Sequence, residues 1–313
     1  MLRSPVLITG AGGFIGSELV NSLLARGHEV FAFDRDPDRL NRLSSCARSD
    51  LLRLVCADIS DPTSMVKVAR QTRPAVLIHL AAMHVIPQCE AQPNRAVDVN
   101  IGGLCNVLAA ADEARVEFIL FASTGDVYAP TTGPSGEDDP TCTATVYGAT
   151  KLLGERLVSE WAERRAGRHA TRVRIFNVYG PGDGNPHVLP DLLGELQRGG
   201  TITVGNVHAA RDFIHVEDVV ALLCRIVQMP TPPTLVNAGT GVTTSIADVL
   251  EMLEVLVGRP VTWTRDPSKL RASDRAHLRA DTARMQALFP GFVPRSLDVG
   301  LGDLLARAGV CPL

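Results

Sequence analysis

Two short stretches carry side chains able to move protons. "YGATK" sets Tyr147 and Lys151 four residues apart, and on a helix such residues share a face. An ammonium beside a phenol favours phenolate, which predicts a Tyr147 pKa drawn down from about 10 toward working pH. A tyrosine so tuned takes the proton of a hydroxyl while hydride leaves the same carbon. The second stretch, "STGDVY", holds Ser123, Thr124 and Asp126 at the mouth of the apolar run "EFILFA". Thr124 and Asp126 read equally as a proton-transfer pair or as ordinary residues of the turn that ends a strand.

A third stretch contains no titrating side chain. "TGAGGFIG" spaces Gly10, Gly13 and Gly16 as G-x-x-G-x-x-G; a strict G-x-G-x-x-G from Gly10 would need glycine where Ile15 stands, next to Phe14. Either spacing lets the backbone turn tightly and approach a pyrophosphate at a helix N-terminus. Asp34 follows 18 residues after Gly16. A carboxylate there accepts from ribose hydroxyls and repels a 2′-phosphate, so NAD is favoured over NADP. The adjacent Arg35 keeps NADP in view, because NADP sites use such an arginine. "CADIS" puts Asp58 and Ile59 at another strand end, a place for an adenine contact.

Alternating elements must position these residues. Apolar, β-rich runs at 5–10, 29–34, 51–58, 75–82, 117–123 and 170–176 read as strands. Segments of helical spacing lie between them, such as 15–27 and 146–165. Buried strands alternating with helices predict a doubly wound parallel α/β sheet, a Rossmann fold. After residue 176 the texture changes: "NVYGPGDGNPHVLP" cannot be one regular element. The expected division is a dinucleotide-binding domain over 1–176, rejoined by about 212–236, and a smaller C-terminal α/β substrate domain over 177–313.

Composition removes several function classes. A net charge of −3 and 4% aromatic residues supply neither an electrostatic nor a stacking case for nucleic acid. No stretch approaches the roughly 18 apolar residues of a membrane span, and the opening strand is too short for a signal-peptide core. Seven scattered cysteines without a C-x-x-C support no metal site. A reduced, cytoplasmic protein is expected.

Taken in order, "TGAGGFIG", Asp34, "CADI", "HLAA" (79–82), Asn100 in "VDVN", "STGDVY", "YGATK", "RIFNVYGPG" (174–182), "RDFIHVEDV" (211–219) and "LRASD" (270–274) resemble the extended short-chain dehydrogenase/reductases of the NAD-dependent epimerase/dehydratase family. The likeness spans nearly the whole chain. It implies Tyr147 as catalytic base, Lys151 as its tuner and ribose ligand, and Thr124 as hydrogen-bond partner of the reacting hydroxyl. Further NAD contacts would come from Leu80, Ala81, Ala82, Asn100, Ser123, Phe176 and Val178. A nucleotide-sugar substrate would meet Met83, His84, Asn177, His187 and Val188, with Arg211 and Arg271 on its pyrophosphate. The lone histidines 84 and 187 read equally as structural residues. The stretch 204–213 and "LRASD" look most like the branch acting on GDP-mannose and its 4-keto product. The resemblance also implies a homodimer formed through helices at 100–114 and 146–165.

Dehydratases of this family resemble one another in a Thr-Asp-Glu or Thr-Ser-Glu triplet; here it is Thr124-Gly125-Asp126. Gly125 has no proton to give, and Asp126 is one methylene shorter than the Glu base. Elimination at C5 and C6 needs a base and usually an acid. The expected function is therefore C4 epimerisation through a transient 4-keto sugar, with hydride returned from the same bound NADH. A 4,6-dehydratase using Asp126 as C5 base, a 4-ketoreductase, and a non-catalytic NAD(P)-binding sensor are the alternatives. Sensors of this fold commonly lose the Tyr-Lys pair, which this chain keeps.

Overall fold

The computed structural model describes residues 5–44, 49–270 and 275–310. The chain divides into two compact units: residues 1–127, 143–174 and 219–236 form one, and residues 128–142, 175–218 and 237–313 the other.

In the first unit, β1 (Val6–Thr9), β2 (Val30–Asp34), β3 (Leu52–Cys56), β4 (Val76–His79), β5 (Phe118–Thr124) and β6 (His169–Ile175) alternate with helices α1 (Phe14–Ala25), α2 (Pro37–Leu43), α3 (Pro62–Thr72), α4 (Ile86–Ala91), α5 (Pro93–Val97), α6 (Gly103–Glu113) and α7 (Val146–Glu163). The strands belong to a seven-stranded sheet ordered, from one edge, Leu235–Ala238, β6, β5, β4, β1, β2, β3. β1 pairs in parallel with both β2 and β4, and Ile8 faces Ala32 on one side and Ile78 on the other. This is the Rossmann order expected from the sequence. Chain direction across the sheet reverses between β1 and β4, and open α/β sheets bind ligands beyond the strand ends at such a point.

The strands are apolar because both faces are covered. Every residue of β1, β4 and β5 is buried. Leu7, Leu77, Ile119 and Phe121 share one core with Val107 and Ala110 of α6 and Val158 and Trp161 of α7. Two glycines bring α7 close to the strand end it serves. A Cβ on Gly154 would lie 2.7 Å from Phe121 Cζ, and one on Gly148 3.2 Å from the Asp126 carbonyl oxygen. The helix expected over 100–114 is two elements: a π turn at Asp98–Gly102 precedes α6. The widened turn carries Asn100, whose amide is spent on the backbone of the loop after β4. π turns recur at functional sites.

In the second unit, β7 (Asn177–Tyr179) pairs in parallel with the strand Ala210–His215. That strand also pairs antiparallel with Thr243–Ser245 and in parallel with His277–Leu278. Its centre is Asp212, fully buried, whose carboxylate accepts from the N–H groups of Thr240, Gly241 and Ala280 and from the Thr240 hydroxyl. Four donors on one buried anion satisfy a charge that would otherwise be costly to bury. Among the described residues no helix is long and apolar enough to cross a membrane.

His79, at the end of β4, gives the first unit an acid limit. It is 1% exposed, its Nδ1 lies 2.7 Å from Thr9 Oγ1, and its ring stacks on Phe121 at 5.9 Å. Burial lowers its pKa from 6.5 to about 3, with the Lys151 charge adding to the fall. The unfolded chain therefore binds a proton near pH 6.5 that the folded chain refuses until about pH 3. Stability is lost as pH falls through that window, by about 1.4 kcal/mol per pH unit. Urea melts from pH 7 to pH 4 should show that slope. His79→Gln, which has nothing to titrate there, should flatten it.

Candidate active site

The candidate catalytic groups converge at the C-terminal end of β5. β5 ends on Thr124 and passes into a single 3₁₀ turn, Gly125–Val127, that carries Asp126. The Asp126 N–H donates to Thr124 Oγ1 at 3.2 Å, which ties the turn to the strand end. α7 begins opposite. Its N-cap Thr145 accepts from the Gly148 N–H at 3.0 Å, and the Glu90 carboxylate accepts from the Val146 N–H at 2.7 Å. A carboxylate suits the positive end of a helix dipole. With the helix start held from two sides, Tyr147 in its first turn reaches Thr124, and the two hydroxyls hydrogen-bond.

Lys151 lies one turn along and is 4% exposed. Its Nζ donates to the Ala122 carbonyl at 2.7 Å and sits 4.8 Å above the Phe121 ring, against 5.9 Å from the Tyr147 ring centroid. Burial brings its pKa down to about 8, opposed first by the Glu155 carboxylate. The effect expected on Tyr147 is reversed. Burial pushes its phenol well above the usual tyrosine range, and the charge of Asp126 pushes further; the hydrogen bond from Thr124 pulls the other way. Burial is the main cause; the lysine ammonium is directed at the Ala122 carbonyl of β5 and at Phe121, and Asp126 adds a charge that opposes phenolate. The chain by itself keeps Tyr147 a neutral phenol.

The residues around the glycine turn fit a dinucleotide. Gly10 has φ +73°, and a Cβ there would lie 2.7 Å from the Ala81 nitrogen. A Cβ on Gly16 would lie 2.1 Å from the Gly10 carbonyl oxygen, so α1 packs against the turn only because residue 16 is glycine. No side chain caps α1 at Gly13, and the first helical bond runs from the Ser17 N–H to the Gly13 carbonyl. The N–H groups of Phe14, Ile15 and Gly16 are thus the unsatisfied donors of a helix start, the kind that binds phosphate. Asp34 is buried at the end of β2 and accepts from the Gly12 N–H at 3.0 Å and the Asp36 N–H at 3.1 Å. Arg35 is exposed, 4.0 Å from Asp58 Oδ2. A surface pair at that distance contributes at most about 1 kcal/mol. Asp58 caps its own turn through the Ser60 N–H, and the Ile59 side chain is buried against Gly103 of α6.

The loop after β4 is clamped from below. Asn100 accepts from the Met83 N–H at 2.7 Å and donates to the Met83 carbonyl at 2.9 Å and to Thr150 Oγ1 at 3.0 Å. This fixes Ala81, Ala82 and Met83 relative to α7 and leaves His84 exposed. Ser123 donates its hydroxyl to Glu155. Sequence reasoning passed over Glu155, although "YGATKLLGE" sets it four residues beyond Lys151; that spacing was its available signal. It also passed over Cys89, fully buried with its thiol on the Met83 carbonyl at 3.3 Å, for which the sequence holds no signal.

The remaining site expectations fall in the second unit. Phe176 is buried beside Tyr128, and Asn177 and Val178 lie partly exposed on β7. His187 and Val188 open α8 (Val188–Gln197), with His187 Nδ1 3.4 Å from Asp183 Oδ2. Arg211 spends one amino group on the carbonyls of Ala210 and Arg275. Arg271 lies outside the described residues.

Fold and site together define a dinucleotide-binding α/β protein with a Tyr-x-x-x-Lys helix over its strand ends. A model of the NAD dependent epimerase/dehydratase family matches residues 6–239. A UDP-glucose 4-epimerase of Mycolicibacterium smegmatis is 32% identical over 96% of this chain and 96% of its own. A dTDP-4-dehydro-6-deoxy-D-allose reductase of Streptomyces bikiniensis is 30% identical over 95% and 94%. Among solved structures, MoeE5 in complex with UDP-glucose and NAD is similar at 30% identity with TM-score 0.86, over 97% of this chain and 99% of that one. The chain belongs to the NAD-dependent epimerase/dehydratase family, whose members resembling it here are nucleotide-sugar epimerases and reductases.

The glycine turn provides a direct check. Gly→Ala inside a helix ordinarily gains up to about 1 kcal/mol. At residue 16 the added methyl meets backbone that cannot yield, so Gly16→Ala should lose about 2 kcal/mol or more, the cost of overpacking. Thermal melts should show a lower Tm, and NAD titration by fluorescence should show weakened binding.

Proposed function

We propose that this protein is an NAD-dependent nucleotide-sugar 4-epimerase. The observation that carries the reading is the hydrogen-bonded Thr124–Tyr147 pair at the strand end, backed by Lys151, with no proton donor at Gly125. Its similarity to 4-epimerases over almost its full length supports the same reading. Bound NAD would supply a cationic hydride acceptor whose reduced form is the hydride donor. Ionised to phenolate beside the cationic cofactor, Tyr147 Oη would take the C4 hydroxyl proton and later give it back. Thr124 Oγ1 would orient that hydroxyl, and Lys151 would bind the nicotinamide ribose. Asp34 holds the adenosine ribose, and the start of α1 holds the pyrophosphate. The family resemblance assigns Arg211 and Arg271 to the sugar nucleotide's own pyrophosphate, and Met83, His84, Asn177, His187 and Val188 to further contacts with it. A uridine nucleotide is the first choice of base, because UDP sugars are the ligands of the similar MoeE5 complexes.

Dehydration is the second reading, supported by one observation: the Asp126 carboxylate, on the 3₁₀ turn after β5, acts electrostatically on Tyr147. A homodimer through α6 and α7 completes the proposal. Leu153 on α7 is 48% exposed and Val97 at the end of α5 46%, apolar surface that a second copy would cover. Sedimentation should give twice the chain mass, and Leu153→Glu should shift it toward one.

Incubation of the protein and NAD with a panel of UDP, GDP, dTDP, CDP and ADP sugars in D₂O separates the readings. The expected product has unchanged mass, an inverted C4 proton and no deuterium. Tyr147→Phe should lower kcat at least a hundredfold, the scale of general-base catalysis. A product lighter by one water, with deuterium at C5 and lost in Asp126→Asn, would replace epimerisation by dehydration.

A further inference from the structure

Beneath the candidate pair lies a buried charge cluster that the mechanism above leaves unused. Glu155 stands one helical turn beyond Lys151 on α7, on the same face. Glu155 is 3% exposed and Arg174, on β6, is 4% exposed. The guanidinium binds the carboxylate with both arms: Nε to Oε1 at 2.9 Å and the second amino group to Oε2 at 2.8 Å. Ser123 of β5 donates its hydroxyl to Oε1 as well. The neighbouring residue, Ala122, gives its carbonyl to Lys151 Nζ. Two consecutive residues of one strand thus receive the lysine and the glutamate side by side.

Charge counting shows why this matters. Lys151 and Arg174 are both buried cations, and Arg172, also on β6, is a third positive group acting on Glu155 from partial burial. The other groups around Lys151 are the Tyr147 phenol, the Cys89 thiol of α4, the neutral His79 of β4 and the Phe121 ring. Asp126 acts on Tyr147 from the 3₁₀ turn. Among these, Glu155 is the buried carboxylate on the lysine's side of the helix. Isolated buried ammonium groups lose their proton.

We infer that Glu155 is a positioning residue for the Tyr147–Lys151 pair: gripped by Arg174 and Ser123, its carboxylate keeps the buried Lys151 amine protonated. It touches neither substrate nor cofactor. Arg174 has two effects in this arrangement: it orients the carboxylate and offsets part of its charge. The inference rests on the proposed role of Lys151 at the nicotinamide ribose, but its first consequence, the protonation state of one lysine, is measurable without turnover.

The burial of Lys151 already brings its pKa down to about 8, with Glu155 first among the opposing influences. Removing that influence must lower it further. Removing the competing cation Arg174 must raise it. The sequence has three lysines, 67, 151 and 269, so protein labelled with ¹³C at lysine Cε gives a three-signal spectrum, with Lys151 assigned by Lys151→Met. Titration is expected to move the Lys151 transition to lower pH in Glu155→Gln and to higher pH in Arg174→Gln, with Glu155→Asp near the parent. In kinetics, the alkaline limb of kcat/KM should follow the same signs. At pH 8.5 Glu155→Gln should lose at least tenfold more activity than at pH 6.5. If Glu155→Gln does not fold, Arg174→Gln and Glu155→Asp decide alone. Unmoved Lys151 transitions, or shifts of the same sign in both variants, would overturn the inference and leave Glu155 a structural ion pair. Shifted transitions with pH-independent kinetics would instead fault the role given to Lys151.

Discussion

The site depends on keeping positive charge where water does not reach. A lysine ammonium at 4% exposure under a parallel sheet is costly to hold, and the arrangement around it follows from that cost. The Ala122 carbonyl, the Phe121 face and the Glu155 carboxylate each offset part of it. The offset is partial, which leaves the Lys151 pKa near 8 rather than at the usual lysine value. A group so placed is poised near working pH, a common property of functional sites.

Tyr147 illustrates the complementary constraint. Burial alone makes a phenol harder to ionise, and Asp126 makes it harder still. The chain therefore presents a neutral tyrosine, already hydrogen-bonded to Thr124.

Much of this was legible in the linear chain. Strands covered on both faces must be continuous apolar runs, so β1, β4 and β5 declare themselves. A glycine turn between strand and helix and an acidic residue at the next strand end have few uses other than a dinucleotide. Less visible were contacts joining separate elements: Asn100 of the π turn to Met83 and to Thr150 of α7, and Glu155 of α7 to Arg174 of β6. Each depends on which elements pack together, and spacing along the chain does not mark it.

The sequence by itself determined the fold class, the glycine turn at residues 10–16 and the placing of Tyr147 and Lys151 on one helical face. These follow from periodicity and spacing, which are properties of neighbours along the chain. The family followed from the resemblance of its motifs in order. Only the tertiary structure decided where the charges point. Tyr147 was expected to be acidified by Lys151; folding instead turned the ammonium onto β5 and Phe121 and set Asp126 near the phenol. The reason is that pKa values answer to burial and to distances through space, and both are created when α7 docks on the end of β5.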